Sequence, residues 1–324
     1  MYIKSIISRM LAASLSVGAL TFTPLIYNFD CSYVAHAESK TYTEAEEEAL
    51  YLQKMKVANE LRKSKNYREA IKLYGEAINI KQTDSAAYLG RGYSYYELEN
   101  YKEAIADYDK AIQLDQNFAM SYYLRGNTYH ILQNYKQAIT DYSMAIQLNP
   151  NDVEAYNNRG KVYHILNNYN QALTDYNKTI QLNPNYGEVY FNRGNVYYHF
   201  ENYKQAMADY NNAIQLDPND VSAYLGRGSV YFKLQNYEKA INEYDIAIKL
   251  NPNIASAYVI CGVAYANLQN YKQAVVNISK YIQLVPNDPI GYNMRGNYYK
   301  DLGEEEKAQA DFKKADELNE IGDN

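Results

Sequence analysis

The sequence predicts an all-α protein, an α-solenoid of tandem helix-turn-helix units, and three observations carry that prediction. A tyrosine recurs every 34 residues without a gap, as Tyr88, Tyr122, Tyr156, Tyr190, Tyr224, Tyr258 and Tyr292. Within each period the apolar residues fall on two successive helical stripes, and a turn signal follows each stripe. A fixed period of this kind marks an array whose units touch only their neighbours, so the 324 residues count repeats rather than globular domains.

In chain order, residues 1–37 read as an export signal. Lys4 and Arg9 make a basic start, residues 10–26 are largely apolar, and Ala35-His36-Ala37 supplies small residues for cleavage after Ala37. Ser14, Ser16, Thr21, Thr23 and Pro24 make the apolar stretch weak as a permanent span. The expected location is therefore periplasmic or extracellular, with a membrane engaged only through this segment if it stays uncleaved. Residues 38–50 form a linker and the start of a helix, where Thr43 and Glu46 have capping-box spacing. Eight units follow, 51–84, 85–118, 119–152, 153–186, 187–220, 221–254, 255–288 and 289–322, and residues 323–324 are a tail.

The clearest unit is 153–186. Tyr156, Gly160, Tyr163 and Leu166 share one stripe of its first helix, and Tyr169, Ala172, Leu173, Tyr176, Ile180 and Leu182 share one stripe of its second. Asn167-Asn168 separates them, and Asn accepts the left-handed helix-ending conformation more cheaply than other residues except Gly. Five of the seven prolines stop the second helix, at Pro150, Pro184, Pro218, Pro252 and Pro286. A glycine lies inside almost every first helix (Gly92, Gly126, Gly160, Gly194, Gly228, Gly262, Gly296), at a cost of about 1 kcal/mol each relative to Ala. An alanine follows each glycine twelve residues on, which predicts a close helix crossing between Gly and Ala.

This pattern of Tyr, Gly, Tyr, Ala, Tyr, Ala and Pro resembles the tetratricopeptide repeat, with Tyr in place of its usual Trp and Phe, over residues 51–322. The resemblance implies a right-handed superhelix whose first helices line a concave groove. The family usually places Gly just after the first helix. Only Gly303 matches, with Glu99, Gln133, Asn167, Glu201, Gln235 and Gln269 elsewhere, so the following Asn is expected to take the turn. The first unit lacks the Tyr and Gly of its first helix and the last has a charged second helix, as terminal caps require.

Copies also covary. Arg91, Arg125, Arg159, Arg193, Arg227 and Arg295 each have an acid sixteen residues on: Asp107, Asp141, Asp175, Asp209, Glu243 and Asp311. The units with Val57 and Cys261 instead have Leu73 and Asn277, so an ion pair within each unit is predicted.

Composition excludes several functions. The formal charge is −6, or −7 without residues 1–37 (30 Lys and Arg against 37 Asp and Glu), and with no basic stripe nucleic acid is not an expected partner. Cys31 lies in the export signal and Cys261 stands alone after it, so no disulfide staples the mature chain. No nucleophile, metal, phosphate-loop or dinucleotide motif appears, so the reading is non-catalytic, without catalytic residues, cofactor or metal.

Of the 39 tyrosines, four repeat slots hold 27, and those are architecture. The residues that vary between copies are the candidates for contact. Carrying over the slots that face the family's groove nominates Tyr93, Tyr96, Tyr123, Asn127, His130, Asn157, Asn158, Lys161, His164, Phe191, Asn192, Asn195, Tyr198 and Phe232 as a peptide-binding face. Amides offer both a donor and an acceptor to an extended backbone, and rings add apolar contact. The expected function is an exported scaffold that binds a peptide or protein segment of unknown identity. The alternatives are a cell-envelope assembly or structural protein acting through its outer face, or a carbohydrate-binding module.

Overall fold

The computed structural model describes residues 43–322. The export signal, Cys31, the linker up to residue 42 and the tail at 323–324 lie outside the described residues. Among those described, every element is an α-helix, and the sixteen helices form eight pairs: α1 Glu44–Lys63 with α2 Tyr67–Ile80, α3 Ser85–Glu97 with α4 Tyr101–Leu114, α5 Ala119–Ile131 with α6 Tyr135–Leu148, α7 Val153–Ile165 with α8 Tyr169–Leu182, α9 Gly187–His199 with α10 Tyr203–Leu216, α11 Val221–Lys233 with α12 Tyr237–Leu250, α13 Ala255–Asn267 with α14 Tyr271–Leu284, and α15 Pro289–Asp301 with α16 Glu305–Gly322. Each helix packs mainly on those before and after it in the chain. From α1 to α11, successive odd-numbered helices also touch one another, whereas successive even-numbered helices do not to the same extent. Crowding on one side only curves an array towards that side, so the odd helices form its inner face.

The core is a row of rings. Tyr74, Tyr108, Tyr142, Tyr176, Tyr210 and Tyr244, one per even helix, are at most 1% exposed. From Tyr108 to Tyr244 each ring lies against the glycine of its own odd helix sixteen residues earlier, whereas Tyr74 has Ala58 at that position and lies against Gly90 of the next unit. A Cβ at Gly160 would stand 2.7 Å from the Tyr176 ring, and one at Gly92 would stand 2.9 Å from Tyr108. The close crossing is real, but its partner is this ring rather than the alanine twelve residues on. Those alanines are fully buried, and at Gly262 the Ala274 carbonyl oxygen is the next neighbour at 3.5 Å. A ring is too thick to share the gap with a side chain on the facing helix, and this is what each glycine's helix cost offsets.

The turns differ from expectation. The left-handed residue is the one in the family's glycine slot, Lys65, Glu99, Gln133, Asn167, Glu201, Gln235 and Gln269, with φ of 55° to 61°. The following Asn stays at φ −80° to −91°. Two backbone bonds decide this: in the fourth unit Asn167 N–H donates to His164 O at 3.0 Å, and Asn168 N–H donates to Tyr163 O at 2.8 Å. That closure places the left-handed residue by position, whatever its side chain prefers.

Odd helices start in two alternating ways. Asp84, Asp152, Asp220 and Asp288 accept a hydrogen bond from a backbone N–H of the first turn, at 2.8 to 3.1 Å. Phe118, Tyr186 and Ile254 occupy the same slot in the intervening units and make no such bond.

All six expected ion pairs form, with Arg Nη2 2.6 to 2.8 Å from the acid. The five aspartates also accept from Arg Nε at 2.8 Å. Glu243 makes one bond only, and Arg227 Nε is buried without a partner. In five units Nη1 reaches back to the preceding unit, to Asp109, Ser143, Asn177, Asn211 or Ser279. Each of these guanidinium groups also lies 5.4 to 5.7 Å from the ring of the Tyr three residues earlier. Arginine therefore ties two helices of one unit to a helix of the last. In the seventh unit Cys261, fully buried, fills the arginine slot among Ile241, Tyr244 and Ala264. Burial pushes its thiol up to about 12, so it is an inert core group.

Because the pair is buried and bidentate, Asp175→Ala should destabilise the array by about 3 kcal/mol. A double-mutant cycle with Arg159→Ala in urea unfolding should return a coupling of about 2 kcal/mol. A coupling near zero would show that the pair adds nothing beyond packing.

Candidate functional site on the inner face

The candidate residues occupy four repeating slots of the odd helices, and the slots behave differently. Tyr96, His130, His164, Tyr198 and Phe232 share one. Each ring packs on the tyrosine that opens the next helix (Tyr101, Tyr135, Tyr169, Tyr203 and Tyr237), with centroids 5.3 to 6.1 Å apart. The result is a ladder of half-buried rings whose second faces are not covered by that contact.

A second slot holds Tyr93, Asn127, Lys161 and Asn195. Here two residues serve the core: Tyr142 and Tyr210 donate their hydroxyls to Asn127 Oδ1 at 2.8 Å and Asn195 Oδ1 at 2.7 Å. Lys161 Nζ lies 2.5 Å from Glu188 Oε1, and the Arg62 guanidinium lies 5.3 Å from the centre of the Tyr93 ring.

In the third slot Tyr123 and Phe191 pack on the Tyr142 and Tyr210 rings at 6.2 and 6.1 Å. Asn157, the third member, is 0% exposed. Its Nδ2 donates to the Tyr186 hydroxyl at 3.3 Å. Its assignment to the binding face is therefore corrected: Tyr186, the last residue of the same unit, covers it. In the fourth slot Asn158 Nδ2 donates to Tyr123 Oη at 3.2 Å and Asn127 Oδ1 at 3.1 Å. Asn192 Nδ2 is buried with no partner.

The structure gathers these side chains at two places. His130, Lys161, His164 and Asn192 line a cavity of about 530 Å³, together with Glu188, Ile165, Asn167, Tyr169 and Tyr176. Tyr198 and Phe232 line a smaller one of about 200 Å³ with Ser229, Tyr244, Ile260 and Val263. Phe191 and Asn192 share a third hollow with Glu188, and Tyr93 and Tyr96 stack on each other at 6.3 Å.

Burial and the Lys161 charge lower the pKa of His130, while burial and then His199 lower that of His164. Both rings are therefore neutral at pH 7. Among the described residues no three His, Cys, Asp or Glu side chains converge as metal ligands, and no helix is long and apolar enough to cross a membrane.

Sequence reasoning missed the role of Tyr176, whose hydroxyl is buried and unpartnered at the wall of the largest cavity. A signal for it exists between copies. The residue fifteen positions before each buried tyrosine is Asn59, Asn127, Asn195 or Ser229 where the hydroxyl is bonded, but Tyr93 before Tyr108 and Lys161 before Tyr176, whose hydroxyls are open.

Models of the TPR repeat match residues 58–99, 92–133, 126–166, 160–199, 201–235 and 228–269, and a tetratricopeptide repeat model matches residues 291–321. No curated protein matches the chain. Among solved structures, YrrB, a TPR protein with an unusual peptide-binding site, is 26% identical with a TM-score of 0.51, over 57% of this chain and 95% of that one. The C-terminal part of a TPR repeat-containing protein from Cytophaga hutchinsonii is 19% identical with a TM-score of 0.62, over 74% and 98%. A tetratricopeptide repeat protein from Parabacteroides merdae is 21% identical with a TM-score of 0.58, over 73% and 93%. The last two likenesses concern the fold.

The two uses of one slot can be separated by stability. Asn127→Ala strands the Tyr142 hydroxyl and should cost about 1 to 2 kcal/mol in urea unfolding. Lys161→Ala removes only a partly exposed ion pair and should change stability by less than about 1 kcal/mol.

Proposed function

Because this chain belongs to the tetratricopeptide repeat family, we propose that it is a non-catalytic protein-protein interaction scaffold that holds an extended peptide segment along its inner face. The observation that carries this reading is the half-buried ring ladder of Tyr96, His130, His164, Tyr198 and Phe232, which leads into two cavities. A one-sided row of rings spaced by the repeat suits a chain lying across several units, each ring taking an apolar contact. The likeness to YrrB, whose own peptide-binding site is described as unusual, supports a peptide ligand. The inner face carries little net charge, with Lys161 paired to Glu188, so recognition rests on rings and amides rather than on a cluster of lysines and arginines.

Export completes the proposal. The basic start, apolar stretch and small-residue site at Ala35-His36-Ala37 in residues 1–37 support a cleaved secretory signal and a scaffold outside the cytoplasm.

Two outcomes are expected. Tyr198→Ala combined with Phe232→Ala should weaken binding of a captured peptide about thirtyfold, as loss of buried aromatic contacts does, with an unchanged helical circular dichroism spectrum. Unaltered affinity would move the site off this face. Fractionation of the producing cell should recover a chain whose first residue is Glu38 in the periplasmic or extracellular fraction, and a full-length chain confined to the cytoplasm would refute export.

A further inference from the structure

The cavity between α7 and α9 holds hydrogen-bonding capacity that the fold leaves unused. Tyr176 is 0% exposed and its hydroxyl has no partner. In three sister units the corresponding hydroxyl donates to Asn59, Asn127 or Asn195 at 2.7 to 2.8 Å, Tyr244 donates to Ser229 at 3.4 Å, and Tyr108, with Tyr93 at that position, is the other core tyrosine whose buried hydroxyl has no partner. Lys161 stands at that position here, and an ammonium group cannot accept. Asn192 Nδ2, on the opposite helix, is a second buried donor without a partner. Buried polar groups in folded proteins nearly always find partners, so two donors left open at one cavity wall call for an acceptor from outside the chain.

The charges around the cavity narrow its chemistry. Lys161 Nζ and Glu188 Oε1 form a pair at 2.5 Å, so the wall is locally neutral, and His130 and His164 are kept neutral by burial. A carboxylate would face the Glu188 oxygens. A cation would face Lys161 and both open donors. An uncharged group that accepts and donates along the same edge satisfies the whole set. A primary carboxamide does this, because one of its N–H bonds points the same way as its carbonyl. A backbone peptide group does not, since its N–H and C=O point in opposite directions.

We propose that this cavity is a subsite for the side-chain carboxamide of a glutamine or asparagine in the bound peptide. The carbonyl oxygen accepts from Tyr176 Oη and Asn192 Nδ2, and the amide nitrogen donates to the Glu188 carboxylate, which sits one turn from Asn192 on α9 and lines the same cavity. Glu188 is the discriminating group: it rewards an N–H and repels a carboxylate in its place. The subsite rests on the inner face being the peptide site.

The test is selection of a random-peptide library on the immobilised full chain, followed by titration of the recovered peptides. Enriched sequences should carry Gln or Asn at one fixed position, and changing that residue to Ala or Glu should lower affinity about tenfold. Tyr176→Phe keeps the ring in the core and removes only the hydroxyl. It should weaken the Gln peptide about fivefold while leaving its Ala counterpart unchanged. Glu188→Gln should shift the enriched residue from Gln towards Glu, because it frees the Lys161 charge. Peptides that bind without a fixed carboxamide, or that ignore Tyr176→Phe, would overturn the subsite while leaving the groove in place. Recovery of no peptide would overturn the groove reading and the subsite with it.

Discussion

A tyrosine ring seated against a bare helix backbone sets the spacing of the whole array. Tyr210 shows the arrangement from both sides, since a Cβ at Gly194 would lie 2.8 Å from its ring and one at Gly226, in the next unit, 2.6 Å. The ring is thus clamped between two odd helices, and its thickness fixes how closely they approach. Where the clamp changes, the partner changes with it: Ile278 replaces the ring against Gly262, and Phe312 replaces it against Gly296. Full burial of each such side chain contributes about 1.5 to 3 kcal/mol, which is what lets an array without a shared central core stand. The Arg-acid pairs act over this frame. They join neighbouring helices at the edge of the ring row, and in all but Arg91 the third arm of the guanidinium binds one unit to the one before it.

How much of this can be read from the chain depends on whether copies can be compared. The ion pairs could be read because Arg and its acid vanish together in the first and seventh units, a correlation that needs no three-dimensional knowledge. The glycine partner could not. Residues twelve and sixteen positions on both lie on the face that meets the odd helix, and only ring size decides which one fills the gap. The turns misled because the propensity of Asn was weighed residue by residue, whereas two backbone hydrogen bonds assign the left-handed conformation by position. Asn157 looks like a groove residue because its slot usually is one, and the side chain that buries it, Tyr186, stands at the far end of the same unit.

The site follows the same logic. Asn127 and Asn195 were nominated for their amides, and those amides are spent on the core hydroxyls of Tyr142 and Tyr210. In the unit between them the hydroxyl of Tyr176 stays open, and there the largest cavity lies. The Tyr108 hydroxyl is open as well, so what sets the fourth unit apart is an open hydroxyl beside a cavity. Contact residues on such a surface are found by asking which slots the fold has already used.

The alternating starts of the odd helices carry a mechanical meaning. Asp84, Asp152, Asp220 and Asp288 hold the first turns of α3, α7, α11 and α15, whereas α5, α9 and α13 begin at Phe118, Tyr186 and Ile254 with no side-chain bond to their own first turn. A helix without that bond frays sooner at its first turn. Uncapped first turns therefore fall at every second boundary, so fraying of the odd helices alternates along the array. At one of these, the start of α9, the Tyr186 hydroxyl bonds Glu154 and Asn157 of α7 instead, which ties the helix that carries Glu188 and Asn192 to the one before it.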